Sequence, residues 1–273
     1  MTGGGLTGGA GPVGGAGFAR RYGRWALVAG ASEGIGAAFA TSLAGRGLDL
    51  VLVARRAAPL AELAARLPTR TLTVPLDLAA AGALPALVGA IGDREVGLVV
   101  VNAADSPAGA FLAIDPGRTL RVLDLNCRTP VLLAHHFLPA MVARGRGGMI
   151  IMSSLAGQQG SPGLSAYAAS KAFGAVLAEG LWAELRGTGV DVLACVAGAV
   201  ATPGLARTKP RRAPGTVTPE VVAAAALRAL GRRPRTVPGG LARVAAAVLA
   251  RLLPKAAAIQ VIGRASRDLR PGG

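Results

Sequence analysis

Tyr167-Ala168-Ala169-Ser170-Lys171 is the segment of this sequence best suited to proton transfer. Residues four apart lie one turn apart on one helix face, so a phenol and an ammonium would meet there. A free phenol titrates near pH ~10 and is a poor base at neutral pH, whereas a neighbouring ammonium favours the phenolate. Lys171 is therefore expected to lower the Tyr167 pKa and make Tyr167 a usable general acid or base. The chain holds only two tyrosines and three lysines, which makes a chance pairing a weak explanation. Ser154, in Ser153-Ser154, precedes Tyr167 by thirteen residues and follows an apolar run. A hydroxyl at such a strand end can hold a substrate oxygen; the plainer alternative is a serine closing a turn.

A second group is suited to phosphate. Gly30-Ala31-Ser32-Glu33-Gly34-Ile35-Gly36 follows a short apolar run and precedes a helical stretch. In that strand-turn-helix context Gly30 allows a tight turn, Gly34 lets backbone approach a pyrophosphate, and Gly36 permits close helix–strand packing. The helix N-terminus then offers unpaired N–H groups and partial positive charge. The second apolar run ends in Val53-Ala54-Arg55-Arg56. A carboxylate there would bond the adenosine ribose hydroxyls and favour NAD, whereas two guanidinium groups suit the 2′-phosphate of NADP. The alternative is a solvated arginine pair and NAD(H) as cofactor.

Elements in a definite order must position these groups. Strands are expected at Trp25–Ala29, Leu50–Ala54, Thr71–Pro75, Leu98–Asn102, Met149–Ser153 and Val190–Val196. Helices are expected at Gly36–Gly45, Leu60–Leu67, Leu84–Ile91, Leu120–Ala143, Ala166–Arg186, Pro219–Leu230 and Leu241–Leu253. Repeated strand-helix units with right-handed crossovers give an α/β fold, a three-layer Rossmann-like doubly wound parallel sheet with helices on both faces. Residues 1–23 read as a flexible Gly-rich tail, 24–240 as the catalytic domain and 241–273 as a basic helical extension. Ala201–Pro214, rich in Gly, Pro, Thr and Arg, is expected to form a lid that orders when cofactor or substrate binds.

Composition excludes several classes. The net charge is +16, but Pro203–Gly273 carries fourteen Lys/Arg against Glu220 and Asp268 and so supplies +12 of it. The charge is a local feature of the C-terminal quarter, without zinc-finger spacing or aromatic RNA-binding motifs, and no nucleic-acid partner is expected. A basic amphipathic helix at Leu241–Leu253 is too short to span a bilayer, and it either packs on the body or makes a peripheral membrane contact. Cys127 and Cys195 have no metal-ligand spacing, and His135-His136 has no Glu or Cys partner, so no metal site is expected. The expected compartment is a reducing cytoplasm, with peripheral membrane contact as the variant.

These motifs, in this order, resemble the short-chain dehydrogenase/reductase family across Trp25 to Thr202. The resemblance assigns cofactor binding to Gly30, Ser32, Glu33, Gly34, Ile35 and Gly36, with Arg55 and Arg56 marking the NADP-preferring type. It assigns catalysis to Ser154, Tyr167 and Lys171, and to Asn126 in Leu125-Asn126-Cys127-Arg128-Thr129-Pro130. Asp77, with Leu78, falls at the adenine edge; Asn102 supports the adenosine side; Thr202 is placed to reach the nicotinamide carboxamide. Departures are Ala29 for the usual threonine, Ala104 for a usual glycine, and Ala197-Gly198 for a usual Pro-Gly. The resemblance implies about seven parallel strands, a homodimer or homotetramer built on the two long helices, and a small-molecule carbonyl or alcohol substrate of apolar ketone or 3-oxoacyl type. It also implies a mechanism: Ser154 holds the substrate oxygen and Tyr167 passes the proton. Lys171 holds the nicotinamide ribose, Asn126 positions a water beyond it, and NADP(H) carries the hydride. The rivals are an NAD-dependent alcohol dehydrogenase and a membrane-associated, dinucleotide-binding scaffold without turnover.

Overall fold

Leu98-Val99-Val100-Val101 is apolar at every residue, and a strand without a polar face must be covered on both sides. The computed structural model describes residues 15–203, 215–251 and 254–265, with backbone alone for 15, 16, 249–251 and 261–265. In it this run lies within β4 (Val96–Val101), at the middle of a seven-stranded parallel sheet. The others are β1 (Trp25–Ala29), β2 (Asp49–Ala54), β3 (Thr71–Pro75), β5 (Gly147–Ser154), β6 (Val190–Ala197) and a two-residue β7 (Arg235–Thr236). Their order is β3-β2-β1-β4-β5-β6-β7. From β1 the chain winds outward one way to β3, then returns to β4 and winds the other way. That reversal opens a crevice at the carboxyl ends of β1 and β4.

Among the described residues ten α-helices accompany the sheet: α1 (Gly15–Tyr22), α2 (Gly34–Ala44), α3 (Ala57–Ala65), α4 (Ala83–Ile91), α5 (Pro116–Leu123), α6 (Thr129–Ala143), α7 (Ser165–Glu184), α8 (Pro219–Ala229), α9 (Gly240–Arg251) and α10 (Lys255–Ala265). Alternate strand residues feed two separate cores. Leu50, Leu52, Leu98 and Val100 pack with Phe39, Leu43, Val222 and Leu227 on one face. Val51, Val53, Val99 and Val101 pack with Leu87, Leu133, Phe137 and Met141 on the other.

Two expectations are corrected. The Gly-rich tail ends earlier than expected, because residues 15–22 are helical. Phe18 and Tyr22, four apart, are buried with ring centroids 4.6 Å apart, and Tyr22 Oη donates to Asp191 at 2.8 Å. Residues 1–14 lie outside the described ones.

The single helix expected over Leu120–Ala143 is instead α5, a π turn at Asp124–Arg128, and α6. Pro130 has no N–H to offer the carbonyl four residues back, so the regular ladder breaks there and a wider turn takes its place. α5 starts before Leu120 because Asp115 caps it, accepting from Arg118 N–H at 3.0 Å, with Pro116 in the first turn.

Within the helical extension expected over 241–273, α10 follows α9. Lys255 Nζ reaches the Gln158 carbonyl at 3.5 Å, and Ala242, Ala246 and Ala258 are buried, so α9 and α10 rest on the turn that follows Ser154. Most of the expected lid, residues 204–214, lies outside the described ones.

Candidate active site

The loop after β1 is held from both neighbouring strands. Gly30 N–H donates to the Val53 carbonyl at 2.7 Å, and Asn102 Nδ2 donates to the Gly30 carbonyl at 2.9 Å. Gly30 has φ +79°, where a side chain is strained, and a Cβ there would lie 2.8 Å from Ala103 backbone. A Cβ on Gly36 would strike the Gly30 carbonyl oxygen and come within 2.8 Å of Asn102 Nδ2. The first helical turn thus lies directly against the loop. No side chain caps α2 at Glu33, which leaves N–H groups of its first turn open toward the crevice.

Gly36→Ala is accordingly expected to destabilise the fold by roughly 1–3 kcal/mol and to weaken dinucleotide binding. Thermal unfolding and nucleotide titration measure both, and an unaltered melting temperature would contradict the close approach.

A cleft of ≈ 320 Å³ is lined by Gly30, Ser32, Glu33, Gly34, Ile35, Arg55, Arg56, Asp77, Leu78, Asn102 and Thr202. The expected cofactor residues of the loop, apart from Gly36, and those of the adenine edge are therefore in one place, together with Leu76, Ala103 and Leu125. A second cleft of ≈ 270 Å³ holds Ser154, Tyr167 and Lys171, with Met152, Gly198 and Val200. Ile35, Asn102, Ala104 and Thr202 line both, so the two form one continuous channel.

The two arginines behave differently. Arg56 pairs with Glu33 at 2.9 Å, while Arg55 is exposed and, among the described residues, has no hydrogen-bond or ion-pair partner. An exposed ion pair is worth about 0–1 kcal/mol, so Arg56 can leave Glu33 for a phosphate at small cost.

At the other end, Ser154 closes β5 and its hydroxyl accepts from Ala156 N–H at 3.2 Å. Tyr167 and Lys171 share the first turns of α7 as their spacing predicts. Lys171 is buried, and Nζ donates to the Met152 carbonyl at 2.9 Å, 5.7 Å from the centre of the Tyr167 ring. Ser153 Oγ donates to the Lys171 carbonyl at 2.7 Å, which pins α7 to β5.

One expectation changes. Burial pushes the Tyr167 phenol up rather than down, opposed by its hydrogen bond with Ser154 and not by Lys171. The reason is that Lys171 is itself desolvated, its pKa lowered to about 8, and it turns to a backbone carbonyl. Asn126 is buried in the π turn, and both of its amide hydrogens are engaged. Nδ2 donates to the Asp105 carbonyl at 3.0 Å and to Ser170 Oγ at 2.9 Å, while Oδ1 accepts from Asp105 N–H at 2.9 Å. Its side chain ties the loop after β4 to α7.

Asp105 and Ser170 are neighbours of the site that sequence reasoning missed, as is Arg121, whose NH2 lies 2.7 Å from Asp77 Oδ2. Only the position of Ser170 inside the Tyr-Lys segment could have signalled any of them. Among the described residues no cluster of His, Cys, Asp and Glu could hold a metal, and both cysteines are free.

Comparison with known proteins places this geometry in a family. Residues 24–213 match the family described as short chain dehydrogenase. A 7beta-hydroxysteroid dehydrogenase of Clostridium sardiniense is 35% identical over 212 residues, spanning 76% of this chain and 79% of that one. A solved 7beta-hydroxysteroid dehydrogenase structure superposes with a TM-score of 0.84 at 27% identity, covering 90% of this chain and 98% of that one. A short-chain dehydrogenase from Sphingobium yanoikuyae in complex with NADPH superposes with a TM-score of 0.70 at 32% identity, covering 78% and 86%. The glycine loop, the Tyr-Lys turn and the match over most of the ordered sheet agree, and the chain belongs to the short-chain dehydrogenase family of nicotinamide-dependent oxidoreductases acting on CH–OH groups.

Proposed function

We propose that this chain interconverts a carbonyl and a secondary alcohol on a bulky, apolar small molecule, a hydroxysteroid-like or 3-oxoacyl-type compound, with NADP(H) as cofactor. The observation that carries the proposal is the continuous channel from Arg55 to Tyr167. The residues fit a dinucleotide. Gly30, Gly34 and Gly36 have no room for a Cβ, Arg55 lines the cleft with no hydrogen-bond or ion-pair partner among the described residues, and Asp77, whose carboxyl feels the Arg55 charge, lines the same cleft. Small and apolar residues line the reactive end beside Tyr167, which suits a hydrocarbon body around one oxygen. The name of the 35% identical relative is consistent with a steroid-like substrate.

Bound nicotinamide supplies or accepts the hydride. Ser154 Oγ holds the substrate oxygen, and the Tyr167 hydroxyl gives that oxygen its proton during reduction or takes it back during oxidation. Lys171 presents its ammonium to the same end of the channel, where it would hold the nicotinamide ribose. Asn126 acts indirectly by holding α7 against the loop after β4.

Cofactor choice is tested first. Replacing Arg55 and Arg56 by alanine together is expected to weaken NADPH binding about 10²-fold, as charge-assisted phosphate contacts of ~1.5–3 kcal/mol are lost. NADH binding should change little. Equal losses for both nucleotides would overturn the 2′-phosphate assignment, and a wild type preferring NADH would establish the NAD-dependent alternative.

Two expectations remain proposals. The apolar groove of Val131, Leu138, Leu177, Leu181 and Leu185 between α6 and α7 suits a second copy of the chain in a homodimer or homotetramer. Peripheral membrane contact is favoured only by exposed Leu241 and Val244 beside Arg243. Among the described residues no helix is long and apolar enough to cross a membrane.

A further inference from the structure

Asp105 follows Ala104, which lines both clefts, and one of its oxygens is unsatisfied. Its backbone N–H and C=O both grip the Asn126 amide, and Asn126 in turn donates to Ser170 Oγ, which donates to the Tyr167 carbonyl at 2.8 Å. Its Oδ1 accepts from Ser106 N–H at 2.9 Å and from Arg118 NH2 at 3.1 Å. Its Oδ2 is buried and makes no hydrogen bond. Arg118 is held at Oδ1; on the Oδ2 side stands Arg121, whose Nε is 3.8 Å away, too far for a hydrogen bond, while its NH2 is held 2.7 Å from Asp77 Oδ2.

A buried carboxylate oxygen without a donor is costly, and a guanidinium one short movement away would satisfy it. What prevents the movement is Asp77. Oδ1 of Asp77 accepts from Ala79 N–H at 3.1 Å and Oδ2 holds Arg121, so a donor arriving at Oδ2 competes with Arg121 for it.

We propose that Arg121 is a positioning residue with two seats. A nucleotide amine reaching Asp77 shifts Arg121 toward Asp105 Oδ2, and that contact stiffens the Asp105–Asn126–Ser170 clamp behind Tyr167. This rests on the reading of Asp77 as the adenine edge. Filling the adenosine end of the channel would then prepare the catalytic end before any nicotinamide arrives, a coupling carried by a side chain with two alternative acceptors.

Cys127 gives a readout that does not depend on turnover. It is half-buried, follows Asn126 in the π turn and does not line the adenosine cleft, whereas Cys195 is fully buried, so iodoacetamide alkylation reports on that turn. Saturating adenosine 2′,5′-bisphosphate, which has no nicotinamide, is expected to slow Cys127 alkylation about fivefold in the wild-type chain. In Asp105→Asn the backbone grip on Asn126 and the Asp77–Arg121 pair both remain. That variant should bind the bisphosphate as the wild type does, yet show no slowing. Arg121→Lys, which keeps the charge but loses the fork that can address two carboxylates, should also lose the effect.

Bisphosphate binding without slowing in the wild type overturns the coupling and leaves the cofactor reading intact. Equal slowing in Asp105→Asn overturns the route through Asp105. Failure of the bisphosphate to bind the wild type overturns the cofactor reading and this inference with it.

Discussion

Tyr167→Phe is expected to lose two to four orders of magnitude in kcat, the usual worth of a positioned general acid or base (~10²–10⁴), while its affinity for NADPH stays close to that of the wild type. The substitution removes one hydroxyl. It leaves the α7 turn, the Lys171 contact to Met152 and the Ser153 contact to α7 in place. Because burial holds the phenol above its ordinary range, Tyr167 is protonated at neutral pH and ready to donate. Carbonyl reduction should therefore hold its rate across the neutral range. Alcohol oxidation, which needs the phenolate, should go on rising through the alkaline range where an ordinary phenol titrates. The pH profiles of kcat in both directions and a nucleotide titration of the variant check this. A variant with near wild-type kcat would remove Tyr167 from the chemistry. A fall in kcat matched by an equal fall in NADPH affinity would make it a binding residue instead.

The catalytic pair and the glycine loop were legible in the sequence because their chemistry is local. Tyr167 and Lys171 are four residues apart on one helix, and Gly30, Gly34 and Gly36 lie within one strand-turn-helix unit. Six of the seven strands were legible for the same reason, as short apolar runs; β7 has two residues, Arg235 and Thr236, and no run to detect. What sequence could not carry is contact between distant segments. The Arg56–Glu33 pair spans 23 residues, and Asn126 meets Ser170 across 44. The upward displacement of the Tyr167 phenol has the same origin, because desolvation is set by whatever covers a group and not by its neighbours in sequence. The π turn was in principle legible, since Pro130 inside an otherwise helical run forbids a regular ladder. The apolar periodicity on either side of it hid the break. Helix α1 was hidden in the opposite way, by glycine and alanine around the Phe18–Tyr22 pair that anchors it.

Lys171→Met is expected to abolish turnover and, at pH 6.5, to stabilise the cofactor-free protein. Burial lowers the Lys171 pKa to about 8 from an ordinary 10.5. Below the folded value the amine is charged in both folded and unfolded chains, and the fold bears the full cost of burying that charge. Between the two values the folded chain releases its proton while the unfolded chain keeps it, so stability rises with pH; above the unfolded value the cost is gone. The difference corresponds to a penalty on the order of 3 kcal/mol at neutral pH and below. Methionine is about as long, needs no solvation, and removes that penalty. It also deprives the Met152 carbonyl of its 2.9 Å donor, a loss of about 1 kcal/mol. The net gain at pH 6.5 is thus about 2 kcal/mol, or roughly 4–8 °C in Tm for a domain of this size. It should shrink to near zero by about pH 9.5, where the remaining penalty of about 1 kcal/mol is offset by the lost hydrogen bond. Melting curves of both proteins at the two pH values decide the matter: a destabilised variant at pH 6.5, or a gain that does not change with pH, would show that the charge is not what the fold opposes. The expected pattern would mean that this fold keeps a cation it would be more stable without, at the one position beside Tyr167 where the chemistry needs it.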